Sequence, residues 1–181
     1  YIGKRHLEAA LSHFEYEHEL EIEWKSFHLD PTIPEEVKVK TDIYSYIATK
    51  KGISIDEVKT MHQNVVEIAN NAGLNFNFDA LVVANSLRAH RIIQLAKTKG
   101  LGDFAEEIFF SAYFIQGLDL SNETTLLDLA SKIGLEESEV KKALSEDDCL
   151  KYVKDDITEA QELGIDSVPF FVFTRKFAVK G

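Results

Sequence analysis

Patterns suited to β-strands occur only towards the two ends of this 181-residue chain, and the long stretch between them is spaced for helices. From Glu19 to Phe27, Leu20, Ile22 and Trp24 fall on one side and Glu21, Glu23 and Lys25 on the other, the period of two expected of a strand. Pro31 and Pro34 close that run. Near the other end, Val168-Pro169-Phe170-Phe171-Val172-Phe173 reads as a buried strand opened by a proline, which cannot donate to a ladder and so belongs at a strand's first position. Phe177-Ala178-Val179 reads as a second strand beyond the turn Thr174-Arg175-Lys176. A chain of this order closes economically if its terminal pieces share one sheet.

The middle is helical by period and by punctuation. Leu7, Ala10, Leu11 and Phe14 predict an amphipathic helix over 3–17. Thr41–Lys51 is a short helix stopped by Gly52, and Ser54-Ile55-Asp56-Glu57 is a capping box for a helix carrying Val58, Met61, Val65 and Ile68 inward. Asp79 is placed to cap a helix running to Gly100, and Asp103 with Glu106 to cap one through Phe109, Tyr113 and Phe114. Shorter helices follow near 124–133 and 136–145, the first capped within Asn122-Glu123-Thr124. The last runs from about Asp147 to Leu163, with Leu150, Val153, Ile157 and Ala160 inward. The expected architecture is α/β, one domain built from the two ends and interrupted by helices.

Composition narrows the function. With 31 acidic and 20 basic side chains the net charge is −11 and the pI about 5.0, which argues against nucleic-acid binding. No apolar run reaches the length of a membrane helix. The single cysteine, Cys149, excludes an internal disulfide framework and a cysteine-rich zinc site, and it reads as structural. His13 and His18 are five apart, the wrong spacing for a His-Glu-x-x-His metal helix. No phosphate-binding glycine loop and no Gly-x-Ser-x-Gly elbow occurs. No metal and no cofactor is expected. The strongest local signal is Gly164 to Val172, a helix end followed by a proline-opened strand. Spacing alone leaves two readings of Pro169, a trans proline starting a strand and a cis proline exposing backbone to an extended ligand.

Several segments, in order along the chain, carry a resemblance. Tyr1-Ile2-Gly3-Lys4-Arg5 with the helix after it resembles the segment just past the active site of DsbA-family thiol–disulfide oxidoreductases, in particular the FrnE-like branch. Trp24 to Pro31 resembles that branch's Trp-x-Pro-Phe-x-Leu-Asn-Pro, with Ser26 for proline and Asp30 for asparagine. Asn85-Ser86-Leu87-Arg88-Ala89-His90 resembles its Asn-Thr-x-x-Ala-His helix, and Phe109–Gly117 its Leu-Phe-x-Ala-Tyr-Phe-x-x-Gly. Gly164–Val172 resembles its Gly-Val-x-Gly-Val-Pro-Phe-Phe-Val, with Ser167 where glycine is usual.

The resemblance implies a thioredoxin-like fold with a large all-helical insertion: residues 1–35 and 150–181 as a discontinuous thioredoxin-like domain, and 36–149 as the helical insertion. It implies that Pro169 is cis. It implies a substrate-facing set of Val168, Pro169, Tyr1, Phe27, Asn85 and His90. It also places a Cys-x-x-Cys immediately before Tyr1, which agrees with a chain that opens without methionine and reads as an interior segment lacking its first strand and final helix. No catalytic residue is then expected within the 181 residues themselves. The activity implied is disulfide exchange with protein or small thiols such as glutathione, in the cytoplasm of a bacterium, with no nucleic-acid or membrane partner and an acidic surface that permits a homodimer. Two other readings stay open: a glutathione-dependent isomerase of the 2-hydroxychromene-2-carboxylate type, in which serine replaces the reactive cysteine, and a redox-inactive peptide-binding relative.

Overall fold

The structure, a computed structural model, describes residues 1–35 and 40–181. The boundary expected at 35/36 adjoins residues 36–39, which lie outside the described residues. Eight α-helices are described: α1 (Ile2–Leu11), α2 (Ile43–Lys51), α3 (Ile55–Asn71), α4 (Leu87–Thr98), α5 (Gly102–Phe114), α6 (Glu123–Ile133), α7 (Glu137–Ser145) and α8 (Asp147–Glu162). Two strands, β1 (Phe170–Phe173) and β2 (Phe177–Lys180), follow at the end.

Local chemistry accounts for most of the helix boundaries. The Ser54–Glu57 capping box starts α3, and Asn122 accepts from Thr125 N–H to start α6. Gly52 and Gly134 end α2 and α6 in the left-handed region, where glycine carries no Cβ penalty. The core gathers around α4, which packs on α5, α6, α7 and α8. Ile92, Leu126, Leu129, Val140 and Val153 from these helices are fully buried. β1 and β2 form an antiparallel hairpin with Phe170 opposite Lys180 and Phe173 opposite Phe177. At its tip Thr174 and Arg175 both take positive φ, and Lys176 N–H closes on the Phe173 carbonyl at 3.0 Å.

Four expectations need correcting. First, the run Glu19–Phe27 is not a strand among the described residues. Glu17–Glu19 forms a 3-10 turn, and beyond it the chain is unladdered, because the described sheet holds only β1 and β2. The two ends therefore share no described sheet. Leu20 and Ile22 remain about half exposed, and the segment is held by side chains of α4, α5 and α8 instead. Second, α1 stops at Leu11, so Phe14 lies in the turn beyond it and is exposed.

Third, Met61 and Ile68 of α3 face outward, since only α2 packs closely on that helix. Fourth, neither Asp79 nor Asp103 caps a helix. Asp79 accepts from the Tyr44 hydroxyl at 2.8 Å, and α4 begins eight residues later at Leu87. Asp103 turns towards α1.

Candidate active site

Two elements from opposite ends of the chain meet at the start of α1. Gly3 is buried against the Val168–Pro169 loop so closely that a Cβ there would lie 2.5 Å from Pro169 Cβ and 2.8 Å from its Cγ. The Val168–Pro169 peptide is cis. Val168 is about half exposed, Pro169 is half-buried, and Gly181 N–H donates to the Pro169 carbonyl at 3.0 Å. Backbone of this loop is thus presented beside a helix N-terminus.

The first turn of α1 holds no acidic residue. The positive end of the helix dipole lies at such a start. Lys4 and Arg5 sit in the same turn, where the dipole disfavours cations, so carboxylates gather around them. Lys4 Nζ, buried at 4% exposure, donates to Asp103 Oδ1 at 2.5 Å and pairs with Glu8 at 3.1 Å. Burial opposes its charge, but the hydrogen bonds it donates to Asp103 and Glu8 outweigh that and raise its pKa. Arg5 pairs with Glu8 at 2.7 Å and with Glu107. The two cations are therefore neutralised in place.

Tyr1 stands over this turn. Its ring stacks on Phe110 at 5.3 Å and on Phe76 at 6.2 Å, and the Arg5 guanidinium lies 4.9 Å from its centroid. Its hydroxyl donates to Glu107, and burial together with that carboxylate pushes the phenol up to about 12.

Glu106 was invisible as a site residue in the sequence, where it reads as part of a cap. It is 6% exposed on the inward face of α5. Burial pushes its carboxyl up to about 7, against the pull of the Tyr1 amino group, Lys4 and Lys97. Its signal was a carboxylate three residues before Phe109 on an otherwise apolar helix face.

The other expected residues lie further along α4. Trp24 donates its indole N–H to Asp103 at 3.0 Å, and Lys97 near the end of α4 reaches the Trp24 carbonyl at 2.8 Å. The segment then runs back along α4, so Phe27 meets His90. Nδ1 of His90 and Nε2 of His28 have no hydrogen-bond partner among the described residues. Asn85 is buried before the first turn of α4, giving its Nδ2 to the Ile33 carbonyl and taking Leu87 N–H at 2.8 Å. A twelve-residue helix is about 18 Å long, so Asn85 and the Trp24–Lys97 contact stand at opposite ends of α4. The structure therefore brings the first turn of α1 against Pro169, sets Tyr1 on Phe110 and Phe76, pairs Phe27 with His90, and gives Asn85 a clamping role on the 30–35 loop.

All 181 residues match the family of DSBA-like thioredoxin domains. The chain belongs to that family. Its fold is the DsbA-like thioredoxin fold, mostly helical with a small sheet. A crystal structure described as a probable DsbA oxidoreductase from Streptomyces coelicolor superposes on the DSBA-like domain with a TM-score of 0.92 at 27% identity, covering 99% of this chain and 77% of that one. No curated protein matches the chain.

Membership implies a thiol or disulfide as the reaction partner. The domain's only cysteine within the sequence, Cys149, lies in α8 and is buried. Burial and the Asp148 carboxylate raise its pKa against the pull of Arg91. At pH 8 its alkylation by iodoacetamide is expected to run at least about tenfold slower in the native domain than in denaturant. Equal rates would show Cys149 to be a reactive thiol.

His90 gives the DSBA-like domain an acid-sensitive element. Burial, then the nearby His28, pushes it down to about 4, against its hydrogen bond to the Phe27 backbone and the Asp156 charge. The unfolded state then binds the extra proton between pH 6.5 and 4, so this stabilisation is complete above pH 6.5 and is lost as pH falls towards 4. In His90→Gln the acid limb of unfolding free energy against pH should flatten. An unchanged limb would place the acid sensitivity elsewhere.

Proposed function

We propose that the complete protein is a thiol–disulfide oxidoreductase or isomerase, exchanging disulfides with protein or small thiols through a Cys-x-x-Cys immediately before Tyr1. The observation carrying this reading is the first turn of α1 packed against the cis Val168–Pro169 loop. A cysteine at that helix start feels the positive end of the dipole, which lowers its thiol pKa and raises the thiolate fraction at neutral pH. A low thiol pKa also makes the sulfur a better leaving group and its disulfide more oxidising. Lys4 and Arg5 add little to this field, because Asp103, Glu8 and Glu107 already balance them. The half-exposed Val168 offers backbone to an extended substrate beside the sulfur.

The test is thiol counting and trapping on the complete protein. Three alkylatable thiols after reduction and denaturation, two of them lost on oxidation by glutathione disulfide, are expected. Labelling at Cys149 alone would refute the reading and leave the serine-type isomerase or a redox-inactive binder.

A further inference from the structure

The outer face of α3 carries an apolar stripe that no helix covers among the described residues. Met61 is 42% exposed and Ile68 49%, with Val65 half-buried between them, and α2 is the helix packed closely on α3. At 3.6 residues per turn these three side chains share one face of the helix. The surroundings of the stripe are nearly free of charge. Thr60–Phe78 holds one charged side chain, Glu67, whereas 28% of the whole chain is charged. Burial favours the neutral form of His62, which stacks on Phe78 at 4.2 Å. Asp56, Lys59 and Glu67 fall about 130° or more around the helix from the stripe, and Glu57 is taken up by the Ser54 cap. The side chains that border the stripe along its length are amides, Asn64 and Asn71.

Such a face is complementary to itself. A twofold axis sets each residue near it against its own copy or a near neighbour of that copy. A carboxylate there would meet a carboxylate, which opposes association of two chains that each carry a net charge of −11. An amide both donates and accepts, so it can pair with its own copy, and apolar side chains pack on one another. A face made for an oppositely charged partner would carry charge instead. We propose that the outer face of α3 is the seam of a homodimer, in which two copies of the helix cross antiparallel about Asn64 and Val65 and Met61 of each protomer faces Ile68 of the partner subunit. This does not rest on the oxidoreductase reading. Seventeen helical residues span about 25 Å, and one helix against its copy buries less than the ~1,200 Å² of a standard interface. The dimer is therefore weak and concentration-dependent.

Sedimentation equilibrium of the complete protein tests this. Wild type should show a monomer–dimer equilibrium with a Kd of roughly tens of micromolar. The Kd should fall as salt rises from about 0.05 to 0.5 M, because screening relieves repulsion between two acidic chains. Met61→Lys and Ile68→Glu should each raise the Kd at least about tenfold, since the axis brings either substitution in twice. A mixture of the two variants should associate again, because lysine at 61 then faces glutamate at 68 across the seam. Both positions are exposed, so urea midpoints should stay close to wild type. Wild type that stays monomeric to about 1 mM overturns the proposal without any variant. So does a dimer that either substitution leaves intact, one that salt loosens, or a mixture that fails to restore association. A monomeric wild type whose Met61→Lys form also exchanges more slowly with protein thiols would give the face to substrate, and that outcome too overturns the homodimer while leaving the oxidoreductase reading in place.

Discussion

Asp156→Ala is expected to destabilise the chain by about 3–5 kcal/mol, the cost of breaking a buried charged network from one side. Asp156 is 7% exposed on α8. Its Oδ2 accepts Ser26 N–H at 2.8 Å and Gln94 Nε2 at 2.6 Å, and its Oδ1 lies 3.3 Å from Lys25 Nζ. Three segments far apart in sequence meet on this one carboxylate: the extended segment, α4 and α8. Alanine would leave the buried Ser26 N–H without an acceptor and the Gln94 amide with only the Ser26 hydroxyl, at 3.0 Å. Lys25 would keep Glu23 and Glu159, so it contributes little to the loss. Asp156→Asn keeps one acceptor and should cost less than half as much. Urea unfolding midpoints decide the matter. An alanine variant within about 1 kcal/mol of wild type, the worth of one ordinary hydrogen bond, would show that water replaces the carboxylate.

Gly3→Ala is the second large effect. Alanine normally gains about 1 kcal/mol over glycine inside a helix. Here its Cβ would sit 2.5 Å from Pro169 Cβ, and a pyrrolidine ring cannot swing aside as a flexible side chain can. Overpacking of this kind costs about 1–3 kcal/mol, and part of the strain would appear as separation of α1 from the loop. The expected result is a net loss of about 2 kcal/mol together with amide shift changes confined to Ile2–Arg5 and Val168–Phe171. A variant more stable than wild type, with those resonances in place, would mean that the two elements are not in hard contact.

The helices were legible in the sequence because their signals are local. A capping box at Ser54–Glu57, an Asn122 cap and a glycine at position 52 or 134 act within one or two turns and need no partner. The hairpin was legible for the same reason, its two apolar runs and turn being contiguous. The candidate site was only half legible. Pro169 and the start of α1 stood out as motifs, whereas Glu106 looked like a capping residue and Asn85 like a ligand contact.

A strand is not a local object, and that is where reading by period stopped. Leu20, Ile22 and Trp24 alternate as a strand would, but a ladder forms only where a second backbone lies alongside, and among the described residues none does. The sequence by itself determined most of the helical stretches and those ends marked by a cap or a glycine, since backbone propensity and capping act over a few residues, while the end of α1 and the start of α4 escaped it. Tertiary structure alone decided which charges are buried together. Lys4 chooses Asp103, ninety-nine residues away, Asp156 chooses Ser26, and Glu106 is left facing the start of α1. Those choices follow from the packing of α1, α4, α5 and α8, because the energy of a charge depends on what surrounds it once water has been excluded.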